Sequence, residues 1–480
     1  MKRASFLSLL LLPLGACTTV GPDFRLPAPP ESHGYPLAEP GASPPGSPQV
    51  LPGAPVPQRW WTAFGNPALD TLVEEALRAN TDIATAEARL RQALAQSAIA
   101  EAARLPTADL GILGEKTRTS RSLSGVLADD KRYLYSLSTT QLSISYPLDL
   151  FGGLRRRGES ARATAEVQAH RLAAARLTVA TNTALGVIRL ASIRDRIEAS
   201  RRSATLRRQL LDMFQRRHAL GDVGLAEIEA QRTALARAEG ALPPLYKAEA
   251  HEQALLDTLL GREPGAVAQP RILLATLRLP ADLPLSLPAE LVQQRPDILA
   301  AQAQLNAASA DIGVAIAARL PAITLSGNVG GRAIEFSRMF AGGNPFWTIV
   351  SGLSQPLFRG GALRRQQTDA QAAFDAAQAQ YRGVVLAALV DTSDALLAVR
   401  QDGEAVRTAT IADEAAQHNL QLVSRQVALG ASGTLEALSA ATASADAQAE
   451  LIAARTLRLS DTVALFQALG GGYHPQRPPR

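Results

Sequence analysis

Apolar and small residues recur at spacings of three and four along two long stretches of this chain. From Gly361 to Leu429 they fall at Ala370, Phe374, Ala377, Tyr381, Val384 and Ala388, then at Leu420, Val423 and Val427, with no proline in the stretch. That period belongs to a helix packed along one stripe. At 1.5 Å per residue it predicts a rod on the order of 100 Å long. Residues 154–220 match it in length and also lack proline. Each rod ends at a Leu-Gly step, where glycine supplies the usual helix stop. A shorter helix is predicted to return over 223–260 and over 433–469. Another short helix precedes each rod, at 80–104 and 295–319. Arg-Leu-Pro stops both, because proline disfavours helix in the residue before it. Stacked end to end, the short helices would run antiparallel beside the rods. Between each Arg-Leu-Pro and its rod lie two strand-like runs, 107–115 with 133–148 and 322–330 with 345–357. Ile323, Leu325 and Val329 alternate as a half-buried strand should. Residues 134–148 switch parity near Thr139-Thr140, which is the mark either of a bulge there or of a strand window wrongly placed.

The pattern occurs twice. Thirteen of the 27 positions from 80 to 106 are identical to 295–321 without a gap, ending in Arg-Leu-Pro both times. Arg216 to Glu227 likewise matches Arg425 to Glu436 through a shared Leu-Gly-x-x-Gly-x-x-Glu. Two repeats are therefore predicted, 59–265 and 288–470, with a linker at 266–287 and a flexible tail at 471–480. The predicted fold class is mainly α with a small β part.

Composition adds the compartment. Lys2 and Arg3 precede an apolar run from Ala4 to Leu14 that is too short to span a bilayer. Leu14-Gly15-Ala16-Cys17 then resembles a bacterial lipobox, which implies a signal peptide at 1–16 and an acylated Cys17. Cys17 is the only cysteine, so no disulfide forms within the chain. Thr18 in the next position suggests sorting to the outer membrane. Twelve prolines in residues 18–58 make 17–58 an extended tether between lipid and fold. Only 4% of residues are aromatic, which favours long helices with shallow contacts over a thick core. The net charge of +5 is spread along helical faces beside Glu and Gln, a solvated pattern and not a nucleic-acid patch.

Four strands cannot close a barrel alone, and an open edge in lipid leaves backbone groups unpaired. If the strands enter a membrane, several chains must share one barrel. Tyr133, Tyr135, Tyr146, Phe336, Phe340, Phe346 and Trp347 lie in or beside the strands, as an interfacial girdle would. With Trp60-Trp61, Phe64-Gly65-Asn66-Pro67-Ala68-Leu69, Arg295-Pro296-Asp297-Ile298, the two Leu-Pro stops and Gln355-Pro356-Leu357-Phe358, the chain resembles the TolC-like outer-membrane factors. The likeness is to the NodT-type lipoproteins that serve resistance-nodulation-division pumps, and it covers nearly the whole chain. It implies a homotrimer whose twelve strands form one barrel in the outer membrane, continued by an antiparallel coiled-coil α-barrel in the periplasm. It also implies a periplasmic adaptor and an inner-membrane pump as partners, with the chain as a passive exit duct.

The resemblance assigns a periplasmic aperture to the acids after each tip turn, Glu227 and Glu436. Ser439 stands where some members carry a second acid, so a double ring is not expected. The plainer reading is that both acids complement a helix dipole. Arg216 and Arg425, one turn before the tip glycines, are candidate polar links between coils. The tips, with Leu220, Gly221 and Gly224 in the first and Leu429, Gly430 and Gly433 in the second, are the expected adaptor contacts. No catalysis is predicted. The six histidines form no His-x3-His pair, and no nucleophile elbow or phosphate loop occurs. No metal or cofactor is expected. The rival readings are a channel for type I polypeptide secretion, a lipid-anchored scaffold without a pore, and an enzyme on a helical frame.

Overall fold

The computed structural model describes residues 19–26, 49–118, 134–280, 282–285 and 292–474. Cys17, Tyr133 and most of the proline-rich stretch lie outside them. Two compact units emerge. One comprises Met1–Pro27, Leu90–Gln168 and Ala301–Tyr381; the other comprises Ala28–Arg89, Ala169–Ala300 and Arg382–Arg480.

The first unit is built on a four-stranded antiparallel sheet. Its strands are β2 (Thr107–Arg118), β3 (Leu134–Leu148), β5 (Ala322–Ala333) and β6 (Pro345–Ser354), in the order β2-β3-β5-β6. The register of β3 against β2 and β5 runs unbroken through Thr139 and Thr140, so the bulge is absent. The parity switch has another cause: Tyr135 and Leu137 point to the opposite face from Leu142 and Ile144. Each Arg-Leu-Pro ends a helix, α2 (Thr81–Ala102) or α6 (Pro296–Ala317), a turn earlier than the proline itself. The last turn tightens, with Leu105 N–H bonded to the Ala102 carbonyl at 2.9 Å. Gln355 Nε2 donates to the Arg319 carbonyl at 3.0 Å, tying the end of β6 to the second stop.

The rods are α3 (Gly153–Ala219) and α7 (Ala362–Ala428), 67 residues each. Gly152 and Gly361 enter them at φ +76° and +82°, turns that a side chain would strain. The second repeat returns through one helix, α8 (Thr434–Ala468). The first returns through two, α4 (Leu225–Gly240) and α5 (Leu242–Leu259), not the single helix expected over 223–260. Pro243 and Pro244 explain the break: neither can donate the hydrogen bond that would carry the ladder through.

Ion pairs report the stacking of the short helices. In the first unit Arg162 of α3 pairs with Glu101 of α2. In the second, Arg176 pairs with Glu87 of α2, Arg189 with Glu252 and Arg194 with Glu249 of α5, and Arg208 with Glu239 of α4. Partner numbers fall as α3 numbers rise, so these helices run antiparallel to the rod. Asn80 joins α5 to α2 by donating to the Leu259 carbonyl at 3.0 Å while its Oδ1 caps the Asp82 amide at 2.9 Å.

The core of the second unit gathers Trp60, Phe64, Leu69 and Phe466, each at most 1% exposed. Trp60 stacks on Phe466 at 5.4 Å. The preceding turn explains Gly65-Asn66-Pro67: Gly65 sits at φ +61°, Asn66 Oδ1 accepts from the amides of Ala68 and Leu69, and Pro67 opens α1 (Pro67–Ala79). Two expected connectors are ordered. Residues Gln49–Pro52 (β1) of the tether pair in parallel with Asp282–Leu285 (β4) of the linker.

Candidate functional site

The register sorts the sheet into two unlike faces. One carries Leu110 and Ile112 of β2, Leu142, Ile144 and Tyr146 of β3, Ile323, Leu325 and Val329 of β5, and Trp347, Ile349 and Leu353 of β6. Leu110, Ile112, Trp347, Ile349 and Leu353 are between 68% and 74% exposed. Such an apolar band is unstable against water and stable against hydrocarbon. From Leu142 to Leu148 it climbs about 20 Å along β3, close to the apolar height of membrane barrels. The other face carries Asp109, Glu115, Thr139, Gln141, Ser143, Thr324, Asn328, Arg332 and Thr348. Polar groups there need water or one another; Arg332 Nε donates to Thr139 Oγ1 at 3.2 Å. The aromatic girdle is only partly as expected. Tyr146 and Trp347 lie on the apolar face, but Tyr135 and Phe346 lie on the polar one, Phe346 beneath the Arg332 guanidinium at 5.4 Å. The sheet has two edges, β2 and β6, whose outer backbone groups no strand among the described residues pairs.

The helix tips are alike in backbone. Gly221 and Gly430 adopt φ +79° and +73°. The next amide reaches back five residues to close each helix, Asp222 to the Arg217 carbonyl at 3.0 Å and Ala431 to the Gln426 carbonyl at 2.8 Å. Leu220 and Leu429 are each 84% exposed, with Leu225 and Leu435 not far behind. Beneath the tips Leu210, Phe214, Val427, Ala437 and Ala441 form one buried cluster, joined by Val223 and Val423. The two tips of one chain are thus packed together and present four leucines to solvent.

A polar sheet face backed by an apolar one describes a wall between water and lipid. The family described as outer membrane efflux protein matches residues 72–262 and 287–471. The chain belongs to that family. Its relatives include the pyoverdine export outer membrane protein OpmQ of Pseudomonas putida, 32% identical over 98% of this chain and 99% of that one. Nodulation protein T of Rhizobium leguminosarum bv. trifolii is 30% identical over 87% of this chain and 88% of its own. Among solved structures, the outer-membrane channel OprN superposes with a TM-score of 0.86 at 25% identity, covering 95% of this chain and all of OprN. The protein is an outer-membrane efflux channel component, and the family consists of transporters rather than enzymes.

Within this efflux protein the acids after the tips are engaged locally. Glu436 Oε2 accepts from the Gly433 amide at 3.1 Å, half of a capping box that glycine cannot complete. Glu227 folds back over Gly224, where an added methyl would lie 2.8 Å from its Oε2. Arg216 and Arg425 are exposed, and no ion pair joins either to another described residue of this chain. The polar link at the first tip is their neighbour Arg217, whose Nε donates to Asp222 Oδ2 at 2.6 Å while the guanidinium lies over Phe214. Sequence reasoning missed it because the second repeat has Gln426 and Ala431 at the matching places.

A second missed group lies between α7 and α8. Asp402 is buried and faces Asp461, with Arg458 nearby. Burial, then the hydrogen bond and charge of Asp461, push the Asp402 carboxyl up to about 7, against the pull of Arg458. Burial in turn lowers the Arg458 guanidinium. Neither aspartate belongs to a sequence motif, so only the helix pairing reveals them. Among the described residues, no group of His, Cys, Asp and Glu has the makings of a metal site.

Proposed function

We propose that three copies of this chain close their sheets into one twelve-stranded barrel, with each β6 pairing the next copy's β2. The supporting observation is the sheet itself: an apolar face, a polar face and two open edges. Edges cannot stand in lipid, because each unpaired backbone group costs several kcal/mol there. In the sheet order β2 and β6 run opposite ways, so the joint would be antiparallel like every other pair. The polar face then lines the duct. Acylated Cys17 anchors each copy to the outer membrane. The leucine-bearing tips seat a periplasmic adaptor, and an inner-membrane pump delivers the cargo. Three copies of Glu227 and Glu436 ring the periplasmic opening, and Arg216 and Arg425 make their polar links to neighbouring copies.

The test is the mass of the protein extracted in mild detergent, together with conductance in planar bilayers. A trimer that conducts supports this reading. A folded, stable monomer, or a trimer without conductance, overturns it.

A further inference from the structure

The first described residues after Cys17 are seated in a built site. The Val20 amide donates to the Phe151 carbonyl at 3.0 Å, three residues beyond the end of β3. Arg156, in the first turn of α3, donates from Nε to the Val20 carbonyl at 3.1 Å and from Nη2 to Asp23 Oδ1 at 2.7 Å. Its Nη2 also lies 3.4 Å from the Gly21 carbonyl, and its Nη1 binds Glu159 at 2.8 Å. The Arg156 side chain is only 5% exposed. A guanidinium is taken out of water at high cost unless its donors are met, and here most of them are met by the incoming segment. The surface is also shaped for it. Gly21, at φ +93°, lies against Gly313 of α6, where a methyl would stand 2.7 Å from Arg156 Cγ and 2.8 Å from the Val20 carbonyl oxygen. Gly152 leaves room for Thr19 in the same way.

We propose that Thr19–Asp23 is a seated segment and that Arg156 latches it, fixing the point at the foot of β3 where the acylated N-terminus leaves the fold. This rests on the reading of Cys17 as the acylated residue. The proline-rich stretch then lies after the seat and not between lipid and fold. Only Thr18 lies between Cys17 and Thr19, two steps of chain with a reach of at most about 7 Å. A free tether of about forty residues would instead let the lipid wander roughly 35 Å. The seat holds the acyl chains beside the barrel wall at the periplasmic face of the bilayer. Arg156 is a positioning residue, acting mainly through the Val20 and Gly21 carbonyls.

The test is hydrogen exchange on the full, membrane-extracted protein, followed at the peptide spanning 19–26, with palmitate labelling in parallel. Wild type should protect the Val20 amide. Arg156→Ala should lower that protection by about tenfold or more, as expected for lost bonds to a charged donor. Gly313→Ala is the second variant, since alanine favours the helix but its methyl fills the seat. It should lower protection of 19–26 and leave β3 and the tips unchanged. Asp23→Asn should do little, because the Asp23 side chain is 91% exposed. Labelling of Cys17 should persist in all of them. Exchange of 19–26 at the rate of free chain in wild type overturns the seat. So does wild-type protection in both Arg156→Ala and Gly313→Ala. Protection without palmitate label overturns the acylation of Cys17, and with it the anchoring role, while the seat stands.

Discussion

At the residue scale, two acids carry opposite predictions. Glu436 already serves its own helix, where a carboxylate at the first turn contributes about 0.5 kcal/mol. Glu436→Gln should therefore cost little stability. If three copies ring the opening, it should also weaken cation preference and remove block by multivalent cations at low salt. The change should shrink in ~1 M salt, which screens beyond about 3 Å. Single-channel recordings decide this: an unchanged reversal potential leaves the residue as a helix-start acid alone. For Asp402 the folded state raises the carboxyl from its ordinary 3.8 to about 7. The unfolded chain loses that proton first, so stability is full below about pH 4 and declines as pH rises toward and through 7. Asp402→Asn should keep the shape without the charge. It should raise stability at pH 8 by on the order of 2 kcal/mol and leave it nearly unchanged at pH 4, as read by urea denaturation of the detergent-solubilised protein.

At the element scale, glycines in the sheet are not equivalent. At Gly330 a methyl would overlap the Thr140 carbonyl and Gln141 of the neighbouring strand. At Gly327, three residues away, it would only touch the Thr348 carbonyl at an ordinary 3.8 Å. Gly330→Ala should therefore push β3 from β5 and reduce assembled protein severalfold, whereas Gly327→Ala should assemble normally. Heat-resistant oligomer on gels measures both, and equal yields would refute the close approach. At the tips, Gly430 holds φ +73° in open space, so Gly430→Ala meets only backbone strain, about 1 kcal/mol. Faster amide exchange confined to the second tip is the expected sign.

At the scale of the whole molecule, neighbouring residues of one strand distinguish the lipid-facing side of the sheet from the side that faces water. Ile349 lies on the apolar face and Thr348 on the polar one. An arginine facing lipid near the bilayer midplane costs about 2–4 kcal/mol, while one facing a watery duct costs little. Ile349→Arg should reduce the protein recovered in the outer membrane, and Thr348→Arg should be recovered at wild-type level with altered ion selectivity. Reversal of that order in membrane fractions would mean the faces are exchanged.

Much of this architecture is legible in the sequence because its signals are local. A proline-free run of helical period dictates α3 and α7 to within a residue, since nothing along it interrupts the hydrogen-bond ladder. Arg-Leu-Pro and Leu-Gly mark ends because proline and glycine act on their own backbone. Repetition of those marks shows the two halves. The single helix expected over 223–260 overlooked Pro243-Pro244, a local signal too. The remainder depends on pairs distant in the chain. Which strand face is apolar follows from register, and Tyr135 and Leu137 imitate a bulge until their unbroken pairing with β2 fixes their side. The Asp402–Asp461 pair needs two helices laid together. The seat at Thr19–Asp23 needs α3 and α6 to bring a buried arginine and a glycine to one place. Composition made that segment look like free tether, because proline content reports what a chain cannot form by itself and says nothing of the surface that another part of the fold offers it.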